Sequence, residues 1–331
     1  MKNLMNKEDY LDKEKALASA QRKASKVKWP CLCPKCTDKA INSHLLQRHG
    51  ILSHVTVDNH LYEITREDAF KWHENNPVKF KKVGLNNAIS YPLFCDKHDT
   101  EIFLPIESGT INFDDYQSQL LFSYRAVCAE IRKKEVNMLE TKENASNIEE
   151  MSLAGEAMLV GGDKGIKDLK YYKYLLEDEL KSNKGKFTFF HYCYPVIDIY
   201  SSATMSYEIY DSKNERQVEE ALKKKVWDSV FIHIIPQPAS TEIIIGYHNN
   251  HTSRELEEYV KSWNSLGKDE LGYKLTDLFV AHIEDWGLSP RLFERIPEDR
   301  FEKFFELQAK YSTEVFEQQT NVGYNLFEGL L

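Results

Sequence analysis

The chain has 331 residues, 42% of them hydrophobic and 12% aromatic, which is enough for a sizeable core and, at about 100–200 residues per domain, for two domains. No run of about 18 apolar residues occurs, which argues against a transmembrane helix, and the N-terminus lacks the apolar stretch of a secretory leader. The formal net charge of −9 is unevenly spread: residues 1–100 carry 17 Lys/Arg against 12 Asp/Glu, so only this part has the sign that favours phosphate backbones. These features point to a cytoplasmic protein without membrane association, whose six Cys serve metal binding or core packing rather than disulfides.

Residues 7–28 read as a helix. Leu11, Ala16, Leu17, Ala18 and Ala20 alternate with Lys13, Lys15, Arg22, Lys23, Lys26 and Lys28, and Trp29-Pro30 ends the run. Its basic end and the later Lys79, Lys81 and Lys82 form the segment expected to contact DNA or RNA. A charged face turned to solvent accounts for the same residues.

The chemistry is concentrated between residues 33 and 99. Cys33-Pro34-Lys35-Cys36 is a C-x2-C turn, and Cys95-Asp96-Lys97-His98 is a C-x2-H pair. The x2 spacing aims both side chains of a pair at one corner, so two such pairs supply the four N/S ligands of a tetrahedral site. Cys33, Cys36, Cys95 and His98 are therefore the expected ligands of a structural Zn2+, with Cys31 the spare thiol. Cys128 and Cys193 read as core residues. Between the two pairs, 40–46 suits a strand or a short helix. Segments 52–57 and 61–64 flank Asp58-Asn59 as a hairpin, and 66–75 suits one or two helical turns.

The order Cys33-x2-Cys36, Ser43-His44, Asn86-Asn87, Cys95-x2-His98-Asp99 resembles the HNH (ββα-metal) nucleases, a treble-clef zinc family, over about a fifth of the chain. The resemblance implies that His44 is the general base, that Asn86 or Asn87 stiffens the loop, and that Asp99 holds a catalytic Mg2+ or Mn2+. Ser43 stands where that family usually has Asp or His, Asp99 replaces His, and apolar Phe103 falls where a further ligand would come. The Ile-x-Ser-His and Phe-Cys-x2-His-Asp strings are also similar to a bacterial group with members associated with phage defence. The reading is thus a metal-dependent nuclease acting on DNA or RNA in antiviral defence. The alternative is a non-catalytic, zinc-stabilised component that binds nucleic acid or protein in a defence complex.

Downstream, 113–143 is helical, with Tyr116, Leu120, Leu121, Tyr124, Val127, Cys128 and Ile131 at three- and four-residue steps. Residues 144–150 suit a linker, and 151–181 suits one or two helices broken at Gly161-Gly162. Gly161-Gly162-x-x-Gly165 lacks a preceding strand and a Lys-Ser/Thr ending, so it reads as helix punctuation rather than a phosphate loop. Strand composition follows at 187–194, 196–200, 205–210, 230–235 and 242–247, with a helix at 215–225. His248-Asn249-Asn250-His251 reads as a loop before a helix capped by Thr252, and 254–316 is helical. The expected fold is α+β: an N-terminal zinc-binding treble clef over 1–110, a helical connector over 111–185, and an antiparallel sheet packed with C-terminal helices over 186–331. The last segment carries no legible chemistry and is expected to serve a protein partner or a homo-oligomer.

Overall fold

The computed structural model describes residues 7–66, 78–147, 152–207, 216, 219, 220, 223–312 and 321–331. The fold is α+β, with helices and two antiparallel sheets. The expected helical turns at 66–75 lie almost wholly outside the described residues, as do five of the eleven residues of the helix expected at 215–225, of which 216, 219, 220 and 223 are helical.

The larger sheet grows from two strands in which every residue is buried, β7 (Ser229–Pro236) and β8 (Thr241–His248). Their continuous Val/Ile/Phe content belongs to strands covered on both faces. The side chains divide with a period of two. Phe231, Ile235 and Ile244 join a core that runs to the Cys-rich N-terminal part, whereas Val230, Ile232, Ile234, Ile243 and Ile245 join one shared with the C-terminal helices. The seven strands run in the order β3-β2-β9-β6-β7-β8-β5, and every neighbouring pair is antiparallel. Here β2 is His60–Arg66, β3 Val78–Gly84, β5 Phe187–Tyr194, β6 Ile199–Ser206 and β9 Trp286–Leu288.

One face is covered by a hairpin of two long helices, α3 (Tyr116–Asn147) and α4 (Ser152–Ser182). The glycines of α4 do not break it. A Cβ on Gly162 would stand 3.2 Å from Met138 and one on Gly155 2.8 Å from Ala145, so these residues bring α4 close to α3. The other face carries α5 (Arg254–Lys261), α6 (Lys268–Ala281) and α8 (Glu298–Ser312), with the short α7 (Pro290–Phe293) beside β2. Ser253, not Thr252, caps α5, its hydroxyl accepting the Leu256 N–H at 3.2 Å.

The smaller sheet pairs β1 (Ile41–His44) with β4 (Ser90–Phe94), and α2 (Asp96–Glu107) follows β4 directly. The β2–β3 hairpin is inserted between β1 and β4 and reaches the large sheet through β9. Segment 52–57 is not a strand. Leu52–Val55 forms a 3-10 turn that buries Leu52 and Val55, and Asp58-Asn59 closes a tight turn spanned only by the Val57–His60 bridge.

Where this hairpin meets the sheet, Glu63 is buried with Oε1 accepting the Ile89 N–H at 2.9 Å and the Tyr200 hydroxyl at 2.7 Å. Burial lifts its pKa from 4.5 to about 7, against the pull of those two donors. A carboxyl raised on folding holds its proton longer in the folded state. Its stabilising effect is therefore full below pH 4.5 and is lost as the pH rises through about 7. We expect unfolding in denaturant to show the wild type losing on the order of 3 kcal/mol between pH 4.5 and 8 through this group. Glu63→Gln should remove that loss, and equal pH slopes for the two proteins would refute it. Asp277, lifted by burial to about 6, acts in the same direction in both proteins and cancels in the comparison.

Candidate metal centre and the polar group beside it

Four ligand atoms from three places in the chain converge. The Sγ atoms of Cys31, Cys36 and Cys95 and a ring nitrogen of His98 all lie within 4.8 Å of one another. Cys31 Sγ is 3.5 Å and Cys95 Sγ 3.2 Å from His98 Nδ1, and Cys36 Sγ is 3.9 Å from Cys95 Sγ. A tetrahedron with Zn–S near 2.3 Å and Zn–N near 2.0 Å has edges of roughly 3.5–3.8 Å, so the donor set and spacing are compatible with zinc.

Local hydrogen bonding builds this arrangement. The segment around Pro30 bridges Lys39 in antiparallel fashion, with Cys31 N–H donating to the Asp38 carbonyl at 2.8 Å and Ala40 N–H to that of Trp29 at 2.9 Å. The intervening turn is closed by Cys36 N–H on the Cys33 carbonyl at 3.1 Å, with Lys35 left-handed at φ 64°. Leu32 N–H donates to the Leu93 carbonyl at 2.8 Å, which docks the loop on β4 beside the start of α2. Cys95, the extended residue capping α2, and His98 in its first turn are then presented together.

Three of the four expected ligands are in the cluster. Cys33 is not, and Cys31, expected as the spare, takes its place. The candidate ligands thus include a C-x4-C pair spanning the whole loop, with the Pro30–Lys39 bridge at its base and Cys31 Sγ 3.5 Å from His98 Nδ1 of α2. The Cys33 thiol lies in the field of Glu177 and Lys173 on α4. What Cys33 offers the centre is its backbone N–H, donating to Cys31 Sγ at 3.4 Å, a contact that favours thiolate. Burial pushes the Cys31 thiol up. The Asp38 backbone holds Cys36 down, but burial and the neighbouring thiols leave it at about 11, so a cation is what would bring these sulfurs to the thiolate form.

A second group of polar side chains lies on the ββα unit next to this cluster. His44 ends β1 opposite Ser90 of β4, and Asp99 sits in the first turn of α2, where its N–H donates to the Cys95 carbonyl at 2.9 Å. Ser43, fully buried, accepts the Phe94 N–H at 3.4 Å and bonds the Asp99 carboxyl through its hydroxyl. Serine thus positions the acid from the strand. Burial and the positive charge of Arg48 hold His44 below the usual imidazole value, while backbone acceptors at Leu85 and Asn86 pull the other way. Burial raises the Asp99 carboxyl, against the Arg125 guanidinium and the Ser43 hydrogen bond. His44 Nε2 and Asp99 Oδ1 are both buried without a hydrogen-bond partner among the described residues.

Asn86 lies closer to this chemistry than Asn87. Its backbone faces the His44 ring, and its Oδ1 accepts from Arg48 Nη1 at 2.9 Å, whereas the Asn87 carbonyl accepts the Ser90 hydroxyl at 3.1 Å. Phe103, one turn beyond Asp99, is fully buried and lies under the Arg125 guanidinium, 3.9 Å from its carbon to the ring centroid. Arg125 and Arg48 were not legible as site residues, and Cys31 was legible only as the spare thiol. Arg125 is one cation in a long helix, and no spacing rule joins it to residues 26 and 81 positions earlier.

Elsewhere, His248 and His251 form a bridge at the end of β8 with ring centroids 5.1 Å apart, as a loop reading requires. Of the basic residues, Lys23 pairs with Glu143 at 2.5 Å, while Lys81 and Lys82 are exposed on β3 at the sheet edge. Among the described residues no helix is long and apolar enough to cross a membrane. No protein-family model, no curated protein and no solved structure matches the chain.

Proposed function

We propose that this protein is a zinc-stabilised, HNH-like hydrolase of nucleic-acid phosphodiesters, with His44 as general base. The observation that carries this reading is the juxtaposition on one ββα unit of His44 Nε2, lacking a partner, with Asp99, directly after the Cys/His cluster. An imidazole held neutral by burial and by Arg48, with backbone acceptors engaging its ring, keeps a lone pair for the proton of an attacking water. Cys31, Cys36, Cys95 and His98 would hold Zn2+, which ties the knuckle to the first turn of α2 and so sets the position of Asp99. A hard cation such as Mg2+ or Mn2+ at Asp99 is what the family resemblance implies, and it would stabilise charge on the phosphate. The exposed Lys81 and Lys82 offer phosphate contacts at the edge of the large sheet. A role in phage defence belongs to this reading through the sequence resemblance alone.

The second reading, a non-catalytic zinc-stabilised component that binds nucleic acid or protein, is favoured by one observation. The orphan atoms of His44 and Asp99 have almost no solvent-exposed surface. Cleavage assays on single- and double-stranded DNA and RNA separate the two. The hydrolytic reading expects wild-type cleavage and a fall of about 10²–10⁴-fold in His44→Ala, with zinc content and melting temperature retained. Intact substrate with wild-type protein under all metal conditions leaves the binding role.

A further inference from the structure

The C-x2-C turn carries two thiols of unequal standing. Pro34 and Lys35 are its central residues, and Cys36 N–H closes it on the Cys33 carbonyl at 3.1 Å. With proline first and Lys35 left-handed at φ 64°, this is a type II β-turn, which keeps the Cα atoms of its end residues within about 7 Å. A disulfide needs Cα atoms about 4.4–6.8 Å apart, so the turn holds Cys33 and Cys36 at bridging range. Only Cys36 belongs to the four-ligand cluster, and Cys33 is the thiol of this loop left outside it. Both are partly exposed, whereas Cys31 and Cys95 are only 6% and 5% exposed.

An oxidant arriving from solvent therefore meets Cys33 and Cys36 before the buried sulfurs. With a cation bound, Cys36 is held as thiolate, the nucleophilic form, while Cys33 is a thiol that can move without breaking a metal bond. The Cys33 contact to the centre is made by its backbone N–H and does not tie down its side chain. Cys95 Sγ is 3.9 Å from Cys36 Sγ, but it is a candidate ligand of the same ion and is buried at the cap of α2.

We propose that Cys33 and Cys36 are a redox modification site, which hydrogen peroxide converts to a disulfide with release of the zinc. The inference rests on the zinc-stabilised reading above and not on hydrolysis. Cys36 Sγ attacks one peroxide oxygen, the O–O bond breaks, hydroxide leaves, and Cys36 becomes a sulfenic acid. Cys33 Sγ then attacks Cys36 Sγ. The S–S bond forms, the S–O bond breaks, and the hydroxyl leaves as water with the Cys33 proton. The two sulfurs together lose two electrons, and the peroxide is reduced to water and hydroxide. Cys36 is thereby lost as a ligand, so the donor set falls to Cys31, Cys95 and His98. Cys33 is the resolving thiol that stops oxidation at a step a thiol reductant reverses.

The test uses reduced, full-length protein whose zinc content is measured before treatment with a small excess of hydrogen peroxide. A chromogenic chelator follows metal release, and mass spectrometry of unreduced peptides locates the bridge. Only monomer is mapped, which removes bridges between chains through the exposed Cys193. We expect the loss of about one zinc per chain, a Cys33–Cys36 disulfide, and recovery of the metal after dithiothreitol and Zn2+ are added. Cys33→Ser should hold zinc when reduced, but its Cys36 should pass on to the sulfinic acid, so that dithiothreitol no longer restores binding. A bridge from Cys36 to Cys31 or Cys95 with Cys33 left as thiol overturns the inference and leaves the zinc centre standing. Zinc retained through oxidation, or equal recovery in the two proteins, does the same. Reduced wild-type protein without zinc overturns both. If Cys33→Ser does not fold, the bridge mapped in the wild type still decides.

Discussion

Cys31→Ser should strip the metal from the protein, and Cys33→Ser should leave about one zinc per chain in place. The spacing of the thiols alone favours the opposite result, so the pair of variants tests the geometry directly. Cys31 Sγ lies 3.5 Å from His98 Nδ1 and within the four-ligand cluster, while Cys33 Sγ is not in the cluster and its N–H donates to Cys31 Sγ. Cys36→Ser and Cys95→Ser should behave as Cys31→Ser does. The consequence for stability is large because structural zinc sites contribute on the order of 10 kcal/mol to folding in small domains. Here the centre would tie an irregular loop to the start of α2, beside the Leu32–Leu93 backbone bond that docks the loop on β4. Metal analysis and thermal unfolding are the measurements. Metal lost in Cys33→Ser and kept in Cys31→Ser would make the C-x2-C pair the ligands.

Lys133→Met should cost about 3–5 kcal/mol, because it leaves a buried carboxylate without its cation. Lys133 Nζ on α3 sits 2.8 Å from Asp285 Oδ2 and 2.7 Å from Glu130 Oε2. Asp285, just before β9, is 4% exposed, and its Oδ1 accepts the Tyr91 hydroxyl of β4 at 2.5 Å. Burial lifts the Asp285 carboxyl and Lys133 opposes that, so removing the lysine leaves only a phenol to satisfy the acid. The group joins the ββα unit, the helical hairpin and the large sheet at one point, and its loss should show in global unfolding rather than in local fraying. Adding Asp285→Asn to Lys133→Met should recover much of the loss, since a neutral amide needs no cation. Denaturant titrations placing Lys133→Met within about 1 kcal/mol of the wild type would mean that the buried pair is not kept charged.

The local patterns of the sequence decided much of this architecture. The three- and four-residue steps from Tyr116 to Ile131 belong to α3, and the aromatic and β-branched runs at 187–194, 230–235 and 242–247 belong to strands. Cys36, Cys95 and His98 were legible as candidate ligands because metal binding constrains residue type and short spacing together. What tertiary structure alone decided is non-local. The three residues of β9 are too few to show a period, and they become a strand only because β2 and β6 flank them. The glycines of α4 look like breaks until α3 lies against them. Cys31 outcompetes Cys33 because bridges to Lys39 and Leu93 fix the loop on β4 and α2, and no window of sequence contains those contacts. Arg125 stacks on Phe103 of α2 for the same reason: helix packing brings together side chains that the chain keeps far apart, and burial then decides which charges matter.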